Sequence, residues 1–155
     1  MNIKDKFLKI PIIQGGMGVG VSLSRLAGNV AKCGAMGTIS SVNAGYAEEG
    51  FLKNPLQTNL SAMASEIKKA KEIADGNGLI AVNIMTAVSN YDLTCKCAVE
   101  AGADVIISGA GLPLNLPEFT KGTQTLMAPI VSSARAAKIL LKHYKRHYDV
   151  EPDFF

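Results

Sequence analysis

The sequence predicts an α/β fold in which a parallel sheet is covered by helices. Short apolar runs alternate with amphipathic helical stretches along the whole chain. The expected strands end near Ile13, Ile39, Asn83, Ile107 and Val131, and three of the four intervals are close to two dozen residues, the size of one βα unit. The runs are apolar throughout rather than alternating, as strands buried on both faces must be.

Each element has its own warrant. Lys9–Ile13 is a short apolar run containing Pro11 and reads as the first strand. Ser22 can cap a helix whose Leu23, Leu26, Ala27, Val30 and Ala31 share a face, and Gly34 stands where that helix should stop. Ala35–Ile39 is the second strand. Ser40–Gln57 has no period and carries Asn43, Gly45, Gly50, Asn54 and Pro55, so it reads as a loop. A helix then starts at Thr58 or Asn59, with Leu60, Met63, Ala64, Ile67, Ala70 and Ile73 as its buried stripe, and ends at Gly76-Asn77-Gly78. Leu79–Met85 is a strand interrupted by one polar residue, Asn83. Asn90 opens a helix running to Ala101-Gly102, and Val105–Ile107 is a β-branched strand. Pro113 and Pro117 flank a loop with a short helical turn. Leu126–Val131 is a fifth strand with an awkward internal Pro129, and Ser132 or Ser133 caps a last helix.

Two architectures accommodate five such units. One is a flavodoxin-like doubly wound sheet with strand order 2-1-3-4-5. The other is a (β/α)₈ TIM barrel cut to about its first five βα units, since such barrels need about 250 residues and this chain has 155. Pro152–Phe155 reads as the entry to a sixth strand, which favours the barrel.

Composition narrows the function classes. The chain is 48% hydrophobic and 19% charged, which excludes disorder. No apolar run is long enough to span a bilayer, and no signal-peptide pattern follows Met1–Lys9. A net charge of +3 gives no argument for nucleic acid. An odd set of three cysteines, Cys33, Cys95 and Cys97, suits a reducing, cytoplasmic setting better than a disulfide framework.

The polar residues at strand ends carry the candidate chemistry. Gln14-Gly15-Gly16-Met17-Gly18-Val19-Gly20 follows the first strand and precedes a helix, where a ligand can approach backbone. It is neither a dinucleotide fingerprint nor a P-loop: Val21 and Leu23 stand where glycine is needed, and Val21 where lysine is needed. It reads equally as a flexible βα loop that binds nothing. Asn83 is more informative, because a buried amide without partners costs on the order of 1–3 kcal/mol, and ligands bind at strand C-termini in both architectures. Ser108-Gly109-Ala110-Gly111 ends another strand but is no nucleophile elbow, because Ile106 stands where that motif needs glycine. His143 and His147 share a helix face, yet Lys142, Lys145 and Arg146 beside them would repel a cation, so no metal is expected. Cys95 and Cys97 point different ways on a helix and read as packing residues.

These segments together resemble the nitronate monooxygenase (2-nitropropane dioxygenase) family and its relative, the flavin-dependent enoyl-acyl-carrier-protein reductase of type II. The matching stretches are Pro11–Gly18, Ala81–Met85, Ala101–Asp104 with Ser108–Pro113, and Ala128–Ser132, in the family's order. The resemblance implies a (β/α)₈ barrel that binds FMN at the C-terminal ends of its strands. It places Gly15, Gly16 and Met17 against the flavin ring and has Asn83 hydrogen-bond to it. Ser108 and Ser132 would face the same cavity. The implied reaction is oxidation of a small-molecule nitronate with dioxygen. The family's Ala-Gly-Gly-His segment, which carries its proposed base, lies beyond Phe155, as do the loops after strands seven and eight that hold the flavin phosphate. Residues 1–155 are therefore expected to be the N-terminal part of one FMN-binding barrel domain, with no catalytic residue of its own and inactive alone. Self-association through open sheet edges is expected. The flavodoxin-like alternative would be a binding module without catalysis.

Overall fold

The computed structural model describes Met1–Phe155 and begins with an element that no periodicity announces. A small antiparallel hairpin pairs β1 (Asn2–Ile3) with β2 (Lys6–Phe7), closed by hydrogen bonds between Met1 and Leu8. Four parallel strands follow in chain order across one sheet: β3 (Met36–Ser40), β4 (Leu79–Met85), β5 (Val105–Gly109) and β6 (Leu126–Pro129). The register pairs Thr38 with Ala81, Val82 with Ile106, and Ile107 with Ala128.

The expected first strand is corrected. Lys9–Ile13 forms only a single parallel bridge, Ile13 to Met36. Met36 N–H donates to Ile12 O and Gln14 N–H to Met36 O. Pro11 has no N–H to give, and beyond Gln14 the chain leaves the sheet edge. The segment still lies beside β3, so the order along the sheet follows the chain from its first unit to its fifth.

Helices α1 (Ser24–Lys32), α2 (Pro55–Ala74), α3 (Tyr91–Glu100), α4 (Pro117–Thr120) and α5 (Ala134–Tyr148) cover one face. Ala27, Met63, Ile67, Cys95, Leu140 and Tyr144 pack there on Ile39, Ile80, Val82, Ile84, Ile106 and Met127. The closest approach is at Gly37, where an added Cβ would lie 1.9 Å from the carbonyl oxygen of Ala27, so α1 needs glycine beneath it. The opposite face carries Met36, Leu79, Ala81, Val105, Leu126 and Ala128, closed at the N-terminal end of the strands by Ile3 and Leu8. A doubly wound sheet would carry helices on both faces and place its first strand between the second and third. The flavodoxin-like reading is therefore set aside: sequential parallel strands with all helices outside form a barrel wall.

Boundaries moved for local reasons. Helix α2 starts at Pro55 rather than at Thr58 or Asn59, because Pro55 suits the first helical position and the Asn54 side chain accepts from Gln57 N–H at 3.4 Å. The fifth strand stops at Pro129 rather than Val131. Ser133, not Ser132, caps α5, accepting from Ala136 N–H at 3.2 Å.

Asp104 and Asp153 repeat one clasp at the base of the sheet. The Asp104 carboxylate accepts from Ile80 N–H at 2.9 Å while its own N–H donates to Ile80 O. Asp153 does the same with Met127, at 2.7 Å. Lys6 reaches Asp104 and Lys4 reaches Asp153, so the hairpin is pinned to both. Phe154 packs on the interior face. Pro152–Phe155 thus meets β6 in the way Asp104 brings β5 to β4. No helix is long and apolar enough to cross a membrane.

Candidate functional site

The interior face is sealed at the strand N-termini and open at their C-termini. There Asn83 is half-buried, and Ile13, Met17, Met85 and Ile130, at or just beyond the strand ends, are exposed. The Gly15–Met17 loop crosses this opening. A Cβ on Gly16 would lie 2.8 Å from Asn83 Cβ, 3.3 Å from Cγ and 3.4 Å from Nδ2. Gly16 and Asn83 are therefore in direct contact, joining residues from the first and third units. Gly15 has open space around it, and Met17 is 60% exposed.

The glycine N–H groups and the side-chain amide at this contact have no protein partner. Neither the Gly15 N–H nor the Gly16 N–H donates to a protein acceptor, and the Asn83 side-chain amide makes no hydrogen bond to the protein. Polar groups brought together without partners call for a ligand or solvent. Their chemistry is that of neutral donors and one amide carbonyl beside apolar surface. No group of three or more His, Cys, Asp or Glu that could hold a metal ion gathers anywhere in the chain.

The loop is braced from behind. Gln14 Oε1 accepts from Thr38 N–H at 2.9 Å, taking the place of the backbone acceptor that the departing chain no longer offers. Gln14 Nε2 donates to the Gly15 carbonyl and, at 3.0 Å, to Ser22 Oγ. Ser22 Oγ accepts from Met17 N–H at 2.9 Å. Ser22 is 1% exposed and does not cap α1, whose N-cap is Leu23. Glu66 serves that end instead, accepting from Ser24 N–H at 2.7 Å. Burial works to raise the Glu66 pKa, but the Ser24 hydrogen bonds and Lys69 outweigh it and hold the carboxyl below its ordinary value.

The two serines do not join this site as expected. Ser108 pairs with Ile84 and so points to the helix side, fully buried. Its Oγ lies 2.9 Å from Tyr91 Oη and 3.3 Å from Thr86 Oγ1. Its placement in the cavity is corrected: strand alternation gives Ile107, not Ser108, to the interior. Burial, above all, pushes the Tyr91 phenol well above its ordinary pKa, so it remains a neutral hydrogen-bonding group. Ser132 is exposed in the β6–α5 loop, without a side-chain partner among the residues above.

The sequence reading missed Gln14 and Ser22 as structural partners of the loop. The available signal was the same one that singled out Asn83, a polar residue closing an apolar run, and Gln14 has it. A cleft of about 250 Å³ lined by Ser41, Asn43, Asn59, Ser89, Asn90 and Thr94 lies nearby, between the loops leading into α2 and α3. It is on the helix side and shares no residue with the Gly16–Asn83 contact. His143 and His147 place their rings 4.4 Å apart on the outer surface of α5, far in sequence from these residues.

Solved structures share this fold. The chain is similar to the structure of FabK from Thermotoga maritima, with a TM-score of 0.62 and 22% identity over 88% of this chain and 38% of that one. It is similar to nitroalkane oxidase from Streptomyces ansochromogenes, with a TM-score of 0.67 and 17% identity over 88% of this chain and 44% of that one. At these identities the likeness is one of fold, and the chain spans less than half the length of either structure. No curated protein matches it. The nitronate monooxygenase family model matches residues 2–150, nearly the whole chain and including every residue of the Gly16–Asn83 contact. The chain therefore belongs to the nitronate monooxygenase family.

Proposed function

We propose that residues 1–155 are the N-terminal five βα units of an FMN-dependent barrel oxidoreductase that oxidises nitronates with dioxygen. The observation that supports this reading best is the contact of Gly16 with Asn83, which leaves two backbone N–H groups and a side-chain amide unpaired over an apolar floor. When bound, the flavin supplies the redox chemistry between nitronate and dioxygen. The chain's own part is positional. Gly15 and Gly16 offer N–H donors, the Asn83 amide offers both a donor and an acceptor, and Met17 lies over the opening. Val105, Ala81 and Ala128 keep water from beneath. None of these residues titrates, so proton handling belongs to residues outside this group.

The same reading makes the 155-residue chain catalytically inert alone and a weak flavin binder, because phosphate is held after strands seven and eight in such barrels. Flavin absorbance that co-purifies stoichiometrically with this chain would overturn that half. Oxygen uptake driven by an alkyl nitronate, measured on the intact polypeptide, tests the other half. NADH consumption with an enoyl thioester and no such oxygen uptake would instead assign the enoyl-acyl-carrier-protein reductase activity. The working location is the cytoplasm, and the edge at Ile10–Gln14, with Ile12 and Ile13 exposed, is a surface for self-association. A monodisperse monomer in light scattering would remove that part.

A further inference from the structure

We propose that Ser22 and Gln14 are positioning residues that hold the Gly15–Met17 loop in its ligand-ready shape before any ligand arrives. The inference rests on the reading of that loop as a flavin platform and adds the residues that shape it. A glycine pair costs more backbone entropy to order than any other sequence, so an exposed Gly15-Gly16 needs fixing at both flanks. The structure supplies both. The Gly15 carbonyl receives the Gln14 amide, and the Met17 N–H is held by Ser22 Oγ at 2.9 Å, so Gly16 is bracketed on either side. The two braces are themselves joined, Gln14 Nε2 to Ser22 Oγ at 3.0 Å, and Gln14 is anchored to β3 through Thr38 N–H. The Gln14 amide and the Ser22 hydroxyl are both engaged with the loop and its anchor, whereas the Gly15 and Gly16 N–H groups make no hydrogen bond to the protein. That division is what pre-organisation requires: the framework is satisfied and the presented groups are not.

The brace is specific in a way that general packing is not, because its two hydrogen-bond arms report separately. The experiment is residue-resolved amide exchange by NMR on the ligand-free 155-residue chain. In the wild type both Met17 and Thr38 amides are protected. Ser22→Ala accelerates Met17 exchange about tenfold, the equivalent of one lost hydrogen bond, and leaves Thr38 protected. Gln14→Ala exposes Thr38. The amides of β5 are unchanged in both variants and report that the fold is intact. A Met17 amide that exchanges freely in the wild type, or one equally protected in Ser22→Ala, overturns the proposal. Loss of protection at Met17 and Thr38 together in Ser22→Ala also overturns it, since that marks general loosening. No flavin is present, so failure here is distinct from failure of the flavin reading, which a flavin titration decides alone.

Discussion

Gly16→Ala is the sharpest perturbation the structure offers. The new methyl would stand 2.8 Å from Asn83 Cβ, whereas carbon atoms prefer about 3.5–4.0 Å. The shortfall is about 0.7–1.2 Å, and rotation of Asn83 cannot relieve it, because Cβ is fixed by the β4 backbone. Relief must come from the loop, which Gln14 and Ser22 hold in place. Overpacking of this kind costs about 1–3 kcal/mol. At roughly 2–4 °C per kcal/mol for a chain of this size, the melting temperature falls by roughly 2–12 °C. Gly15→Ala is the internal control. Nothing lies within 4 Å of its added Cβ, so its stability stays level or rises by up to about 1 kcal/mol through the unfolded state. Thermal unfolding by circular dichroism on both variants reads the difference. Equal melting temperatures would refute the Gly16–Asn83 contact.

The remaining predictions concern the surroundings of that contact. Ser108→Ala leaves the Tyr91 hydroxyl buried without its main partner and costs about 1–3 kcal/mol in urea unfolding, while the double variant with Tyr91→Phe costs less than the sum. An additive result would deny the hydrogen bond. Glu66 has its folded pKa below the ordinary 4.5, so its stabilisation is fully present above that value and is lost as pH falls through the folded pKa. Glu66→Gln accordingly destabilises at neutral pH by about 1 kcal/mol and flattens the acid limb of the stability curve, and an unchanged acid limb would contradict the cap. Burial pushes the Cys95 thiol up to about 12, whereas Cys33 is exposed. Iodoacetamide with peptide mapping should modify Cys33 well before Cys95 in the folded chain, and equal labelling would contradict the packing of α3.

Much of this was legible in the sequence because it depends on local periodicity. Leu79–Met85 and Val105–Ile107 are strands because β-branched and apolar residues leave them no wet face, and Ile67 and Ala70 mark the buried side of α2 from their spacing alone. Asn83 stood out for the same reason, as the one polar residue in an apolar run. What escaped depends on neighbours remote in sequence. The hairpin of Asn2–Phe7 is two residues per strand, too short for any period, and is held by Lys4 and Lys6 on aspartates over ninety residues away. Ser108 was misplaced because small residues at a strand end suggest access from either face, and only the register with Ile84 decides which. Ser22 looked like a helix cap because serine before an apolar stripe usually is one. The structure gives that task to Glu66 and leaves Ser22 free to hold Met17.

Gly15, Gly16, Met17 and Asn83 are proposed to form one half of a flavin platform. The most direct measurement is an NMR titration of the 155-residue chain with millimolar FMN, following backbone amides and the Asn83 side-chain amide. Weak, saturable shifts are expected at Gly15, Gly16, Met17 and Asn83, reduced in Gly16→Ala, with the residues of the helix-side cleft unmoved. Shifts centred on Ser41, Asn59 and Thr94, or no shift at Gly16 and Asn83 at any concentration, would contradict it.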